Sequence, residues 1–221
     1  LFNSGAAATY SGLLTLGSDT SIVGGTASTG TIALTNTGSI TGAYGLTLSG
    51  VGGGSLASTL DTSSGTLTKL GTGTWTLSGA NTYAGATTVS AGTLVVTNAA
   101  GLGSTSAGTT VATGATLDLQ GVAVGAEALT LGGTLKTSTG TSSLSGAISL
   151  SAASTVDVSG AQLTLSGVVS GAYALTKTSA GTLVLSNNNT YTGTTTINGG
   201  TLQLGTGGAS GGITSSSAIT D

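Results

Sequence analysis

Residues 67–96 read LTKLGTGTWTLSGANTYAGATTVSAGTLVV, and residues 175–204 read LTKTSAGTLVLSNNNTYTGTTTINGGTLQL. The two align without a gap at a constant offset of 108, with 16 of 30 positions identical. Leu67, Thr68 and Lys69 return as Leu175, Thr176 and Lys177. Asn81, Thr82 and Tyr83 return as Asn189, Thr190 and Tyr191, and Gly85 returns as Gly193. Alternation is plain in TWTL (74–77) and TTV (87–89) of the first copy and in TTI (195–197) and TLQL (201–204) of the second. Such period-two alternation places Leu, Val and Ile on one side of a strand and Thr on the other.

The same alternation runs through the rest of the chain. Short strands are expected at 31–35, 46–50, 74–78, 87–91, 93–97, 109–113, 116–120, 154–158, 163–167, 182–186, 194–198 and 201–205, each bounded by Gly, Asn or Ser. No window carries apolar residues at helical spacing among good helix formers. Strand starts of the Thr-apolar type fall at Thr66, Thr93, Thr116, Thr134, Thr155, Thr182 and Thr201, a loose period of about twenty residues. A solenoid keeps such a period because each coil travels the same perimeter. An antiparallel sandwich has no reason to. Asn198-Gly199 is the one hairpin-type dipeptide between alternating runs. Ser90-Ala91 stands at the equivalent place, which does not suit an obligatory type I′ turn.

Composition agrees. The 221 residues include 41 Gly, no Pro, no Cys, no Met and no His. Only nine are charged (three Lys, five Asp and one Glu), for a net charge of −3. Disordered chains are poor in apolar residues and rich in charge or Pro; here 38% is hydrophobic and regularly placed. Absence of Pro suits strands whose every N–H enters a ladder. Three scattered Lys form no footprint for nucleic acid. No apolar run approaches the roughly 20 residues of a membrane helix, so this segment is not expected to insert in a membrane.

The quoted stretches resemble the autotransporter-associated β-strand repeat, which fills passenger domains of bacterial autotransporters and related surface proteins. The order L-T-K, G-T-L, N-T-Y-x-G, T-T-V/I, G-T-L carries the resemblance over 60 of the 221 residues. It implies a right-handed parallel β-helix, secretion, a bacterial outer-surface or extracellular location, and no catalytic residues. A shorter echo pairs TGAYGLT (41–47) with SGAYALT (170–176).

The expected fold is all-β: one continuous single-stranded parallel β-solenoid over 1–221, of roughly ten coils. The chain opens at Leu1 without Met, and its tail GGITSSSAITD joined to its head LFNSGAAATYSG would read as one more coil. A section of a longer tandem array is therefore expected.

Candidate chemistry is sparse. Nucleophilic Ser or Thr needs a base nearby, and without His only Lys69, Lys136 and Lys177 remain. Lys69 and Lys177 are equivalent repeat positions, which favours a structural role. Asp118 and Asp157, in TLDL and TVDV, could share one face. Hydrolysis by paired carboxylates needs a common site, and isolated outward acids that keep the surface soluble are the expectation. GTGGASGG (205–212) lacks the Asp of a calcium coil. GLGSTSAG (101–108) misses the spacing of a phosphate loop. Asn188, Asn189 and Thr190 form a glycosylation-type triplet. Tyr83 and Tyr191 could stack on a sugar, but Gly85 and Gly193 two residues on favour packing at a corner. Asn81 and Asn187–Asn189 are expected in turns, bonding their own backbone.

The structural repeat positions are therefore Lys69, Asn81, Tyr83, Gly85, Lys177, Asn189, Tyr191 and Gly193, with no catalytic, cofactor or metal site. The expected function is a cell-surface or extracellular rod or fibre that associates with itself end to end or laterally. The alternative is an adhesin stalk whose binding face or tip contacts a surface glycan or a host.

Overall fold

A computed structural model describes residues 1–27, 30–208, 210–213 and 218–221. Residues 209 and 214–217, within the expected Gly-rich stretch and the expected extra coil, lie outside the described residues. The chain is all-β, with parallel strands stacked as a β-solenoid of about ten turns in all and no helices among the described residues. It divides into two compact units, Leu1–Thr109 and Thr110–Asp221.

In the first unit, one stack holds strands Phe2–Asn3, Thr20–Gly24, Leu46–Ser49, Leu67–Lys69 and Thr87–Val89, each parallel to the next. A second stack holds Ala8–Tyr10, Ile32–Leu34, Gly54–Leu56, Thr74–Leu77 and Thr93–Val96. Ser39–Thr41 and Thr59–Asp61 pair on a third face. In the second unit, Leu129–Leu131, Ile148–Leu150 and Val169–Ser170 form one stack. Thr116–Leu119, Thr134–Thr137, Ser154–Val158, Leu175–Thr178, Thr195–Ile197 and Ile219–Thr220 form the next. Ala123–Val124, Thr141–Leu144, Gln162–Leu165, Thr182–Leu185 and Thr201–Leu204 form the third.

Register explains the loose period. Leu67 pairs with Thr87, 20 residues on, and Thr155 pairs with Thr176, 21 on. Steps of 27 in the Thr-apolar series, from Thr66 to Thr93 and from Thr155 to Thr182, each run one turn and then cross to the next face. The series mixes three sheets: Thr66 adjoins one, Thr93, Thr116, Thr134 and Thr155 start strands of a second, and Thr182 and Thr201 start strands of a third.

Strand alternation decides the core. Leu46–Ser49, Leu67–Lys69, Leu129–Leu131 and Gln162–Leu165 bury every second residue. Leu46 stacks on Leu67, Leu163 on Leu183, and Leu165 on Leu185. Full burial of each such side chain stabilises by roughly 1.5–3 kcal/mol. Trp75 is fully buried, and its indole N–H donates to the Ser49 carbonyl at 3.0 Å.

Outward positions carry hydroxyls in register. On one face of the second unit Thr116, Thr134, Thr155, Thr176, Thr196 and Thr220 succeed one another rung by rung. Thr suits this place because its branched side chain fits the pleat and its hydroxyl stays solvated.

Candidate functional site

Each copy of the long repeat builds a two-turn clamp. Its first half lies directly beneath its second: Leu67–Lys69 pairs with Thr87–Val89, and Thr74–Leu77 with Thr93–Val96. The second copy repeats the pattern, Leu175–Lys177 with Thr195–Ile197 and Thr182–Leu185 with Thr201–Leu204. Thirty residues therefore supply both layers of their own stack.

Lys69 and Lys177 occupy inward positions and are fully buried. In register, Lys69 lies between Leu48 and Val89, and Lys177 between Val156 and Ile197. A methylene stem fits an aliphatic column, but an ammonium needs acceptors. Lys69 Nζ donates to the carbonyls of Leu70 at 2.9 Å, Gly71 at 2.8 Å and Ala91 at 2.9 Å. Lys177 Nζ donates to Thr178 at 2.8 Å, Ser179 at 2.7 Å and Gly199 at 3.0 Å. All three ammonium protons are used, and in each copy they tie one turn to the next.

The corner backbone is shaped for this cation. Gly71 and its counterpart Ser179 both have positive φ, +70° and +65°. Gly92 has φ of +65°, and a Cβ there would stand 2.8 Å from the ammonium nitrogen of Lys69. Only glycine meets both demands. Burial pushes the Lys69 ammonium down to about 8. Burial also lowers Lys177, while the charge of Asp157 works in the opposite sense.

Asn81 and Asn189 are also buried. Asn189 bonds its own turn through the Asn187 carbonyl, as expected, and both residues also reach across turns. Asn81 Oδ1 accepts from the Leu60 N–H at 2.8 Å, and its Nδ2 donates to the Gly101 carbonyl at 2.6 Å. Asn189 Oδ1 accepts from the Val169 N–H at 2.9 Å, and its Nδ2 donates to Asn187 at 2.7 Å and Gly212 at 3.3 Å. Each side-chain amide continues a ladder where the main chain leaves strand geometry. Neither position has positive φ; among the described residues only Ser63 and Ser179 do so without being glycine.

Tyr83 and Tyr191 point inward and are buried. Tyr83 Oη lies 2.6 Å from Thr87 Oγ1, and Tyr191 Oη lies 2.7 Å from Thr195 Oγ1. Neither ring offers a face to a sugar. A Cβ at Gly85 would collide with the Gly65 carbonyl, and one at Gly193 with the Tyr173 backbone. The exposed tyrosines are Tyr44 and Tyr173, at matching places in the shorter echo.

Asp118 and Asp157 do share a face, but they are not isolated acids. Asp118 pairs in register with Lys136, and Lys136 with Asp157. Lys136 Nζ stands 3.1 Å from Asp157 Oδ2. Asp118 is buried and accepts from the Ser138 N–H at 2.9 Å, the Ser138 hydroxyl at 2.7 Å and Gln120 Nε2 at 3.0 Å. Asp157 accepts from the Ser179 hydroxyl at 2.5 Å and from Ser159 at 3.1 Å. Burial works to raise the Asp157 carboxyl. The bonds from Ser179, Lys136 and Ser159, with the charge of Lys136, outweigh burial and hold it below the ordinary carboxylate range. The two acids are two rungs apart, about 9.6 Å of backbone rise, with Lys136 on the rung between them and its ammonium on Asp157. This arrangement neutralises charge. Ser179 links it to the core, since its carbonyl also accepts from Lys177.

Comparison of the chain with curated proteins and with solved structures returns no match. The clamp segments are the part that comparison identifies. Residues 67–96 and 175–204 each match the family model of the passenger-associated-transport-repeat, and the chain thus carries two copies of that repeat of autotransporter passengers.

Proposed function

We propose that this chain is structural: a stretch of a secreted, outer-surface autotransporter passenger that serves as a β-solenoid rod or fibre. The single observation behind this reading is that the side chains that define the repeat are spent inward. Lys69, Asn81 and Tyr83, with Lys177, Asn189 and Tyr191, are all buried and bonded to the backbone or to a neighbouring hydroxyl. A repeat kept for recognition would aim such groups at solvent.

In the same reading the chain performs no catalysis, and its outer face is hydroxyl-rich and nearly uncharged. Electron microscopy of native material tests it. Continuous filaments or plain stalks without a second component are expected. Distinct heads carrying all partner contacts would favour the adhesin alternative. Polysaccharide turnover lost on Asp118→Asn or Asp157→Asn would overturn the non-enzymatic reading.

A further inference from the structure

Only nine residues of the chain are charged, and three of them occupy consecutive rungs of one column in the second unit. That column runs Asp118, Lys136, Asp157, Thr178, and the neighbouring column runs Thr116, Thr134, Thr155, Thr176. We propose that this face is a docking surface for a second copy of the same chain, laid face to face and antiparallel.

The charge order carries the inference. Let a two-fold axis run along the strands, midway between the rungs of Lys136 and Asp157. Each column then faces itself in reverse order. Lys136 meets Asp157 of the second copy, and Asp157 meets its Lys136. In the neighbouring column Thr134 meets Thr155 and Thr116 meets Thr176. The four central charges form an alternating square, with like charges on the diagonals. Parallel, in-register docking would set Asp on Asp and Lys on Lys, which is repulsive. The face therefore complements itself in one orientation, as an isologous interface requires.

Spacing supports the same partner. The rungs are set by backbone hydrogen bonds at about 4.8 Å, so a second copy keeps register along the whole face. Lys136 and Asp157 are already held together at 3.1 Å, with side chains 31% and 20% exposed. Little side-chain freedom remains to be lost on docking. The inference rests on the structural reading above, but the two can fail separately: filaments are read by microscopy, pairing by mass in solution.

Sedimentation equilibrium of the 221-residue chain tests it. A species of twice 20.5 kDa is expected, weakening as salt rises because the square is partly exposed. Lys136→Asp places a carboxylate against Asp157 of the second copy and is expected to weaken pairing at least about tenfold. The exchange Lys136→Asp with Asp157→Lys restores the alternation and is expected to restore pairing. Circular dichroism establishes that each variant is folded. Should Lys136→Asp fail to fold, Thr134→Arg gives the same readout, since Thr134 is half-exposed and faces Thr155 of the second copy. A wild-type chain that stays monomeric at its highest soluble concentration overturns the proposal. So does a dimer unmoved by folded Lys136→Asp or Thr134→Arg.

Discussion

Lys69 shows how one side chain can serve a solvent-free interior and still carry charge. Replacement by Met keeps the stem but orphans the carbonyls of Leu70, Gly71 and Ala91. An orphaned buried acceptor costs about 1–3 kcal/mol, but Leu70 is exposed and Gly71 and Ala91 are half-buried, so water can replace part of the loss. Lys69→Met is expected to destabilise by about 1–3 kcal/mol in all, read from urea melts. The pH response has a definite sign. The folded Lys69 ammonium titrates near 8, below its ordinary 10.5. Between those values the unfolded chain holds a proton that the folded chain has released, so stability rises with pH through that window. Below 8 both states hold the proton and the penalty is constant. Melting temperature is expected to climb from pH 8 to 9.5 in the wild type and to climb less in Lys69→Met. This inward placement was legible: strand parity from Leu67 puts Lys69 on the same side. It was overlooked because a lysine is ordinarily a surface group. The role of Asn81 was less legible, since its partners Leu60 and Gly101 are 21 and 20 residues away.

At the scale of the strand, hydrogen bonding along the stack is continuous and unforgiving. Thr155 donates its N–H to the Gly133 carbonyl at 3.1 Å. Thr155→Pro removes that donor from an interior strand and is expected to cost about 3 kcal/mol or more, with loss of amide-exchange protection in both neighbouring strands. The twelve strands expected from alternation are all present, among them Thr74–Leu77, Ser154–Val158 and Thr182–Leu185. Others, such as Leu129–Leu131, Ile148–Leu150 and Ser39–Thr41, escaped notice. They hold three residues each, within Gly- and Ala-rich sequence, and three residues give alternation little room to show. What fixes them is their register with the turn above or below, which no local window contains. Ser179 illustrates a similar limit. Its counterpart in the first copy is Gly71, and sequence alone does not announce a serine at φ +65°. The structure supplies a compensation, the hydroxyl bond to Asp157.

At the scale of the whole molecule, the two units hold one clamp each, at 67–96 and 175–204. The repeat is thus a local device that closes two turns, and the intervening coils carry plainer aliphatic rungs such as Leu131 on Leu150. This division was partly legible, since the 108-residue offset marked the copies before any coordinate did. What the copies accomplish was not, because identical letters serve core, corner and surface. The burial of Lys69 and Lys177 also bears on digestion. With no arginine and three lysines in 221 residues, trypsin has three bonds to cut, and two of them follow residues sealed in the interior. The third follows Lys136, which is laced into a strand between two others. The intact coil should therefore pass through trypsin uncut, and the first appearance of fragments would time its global opening.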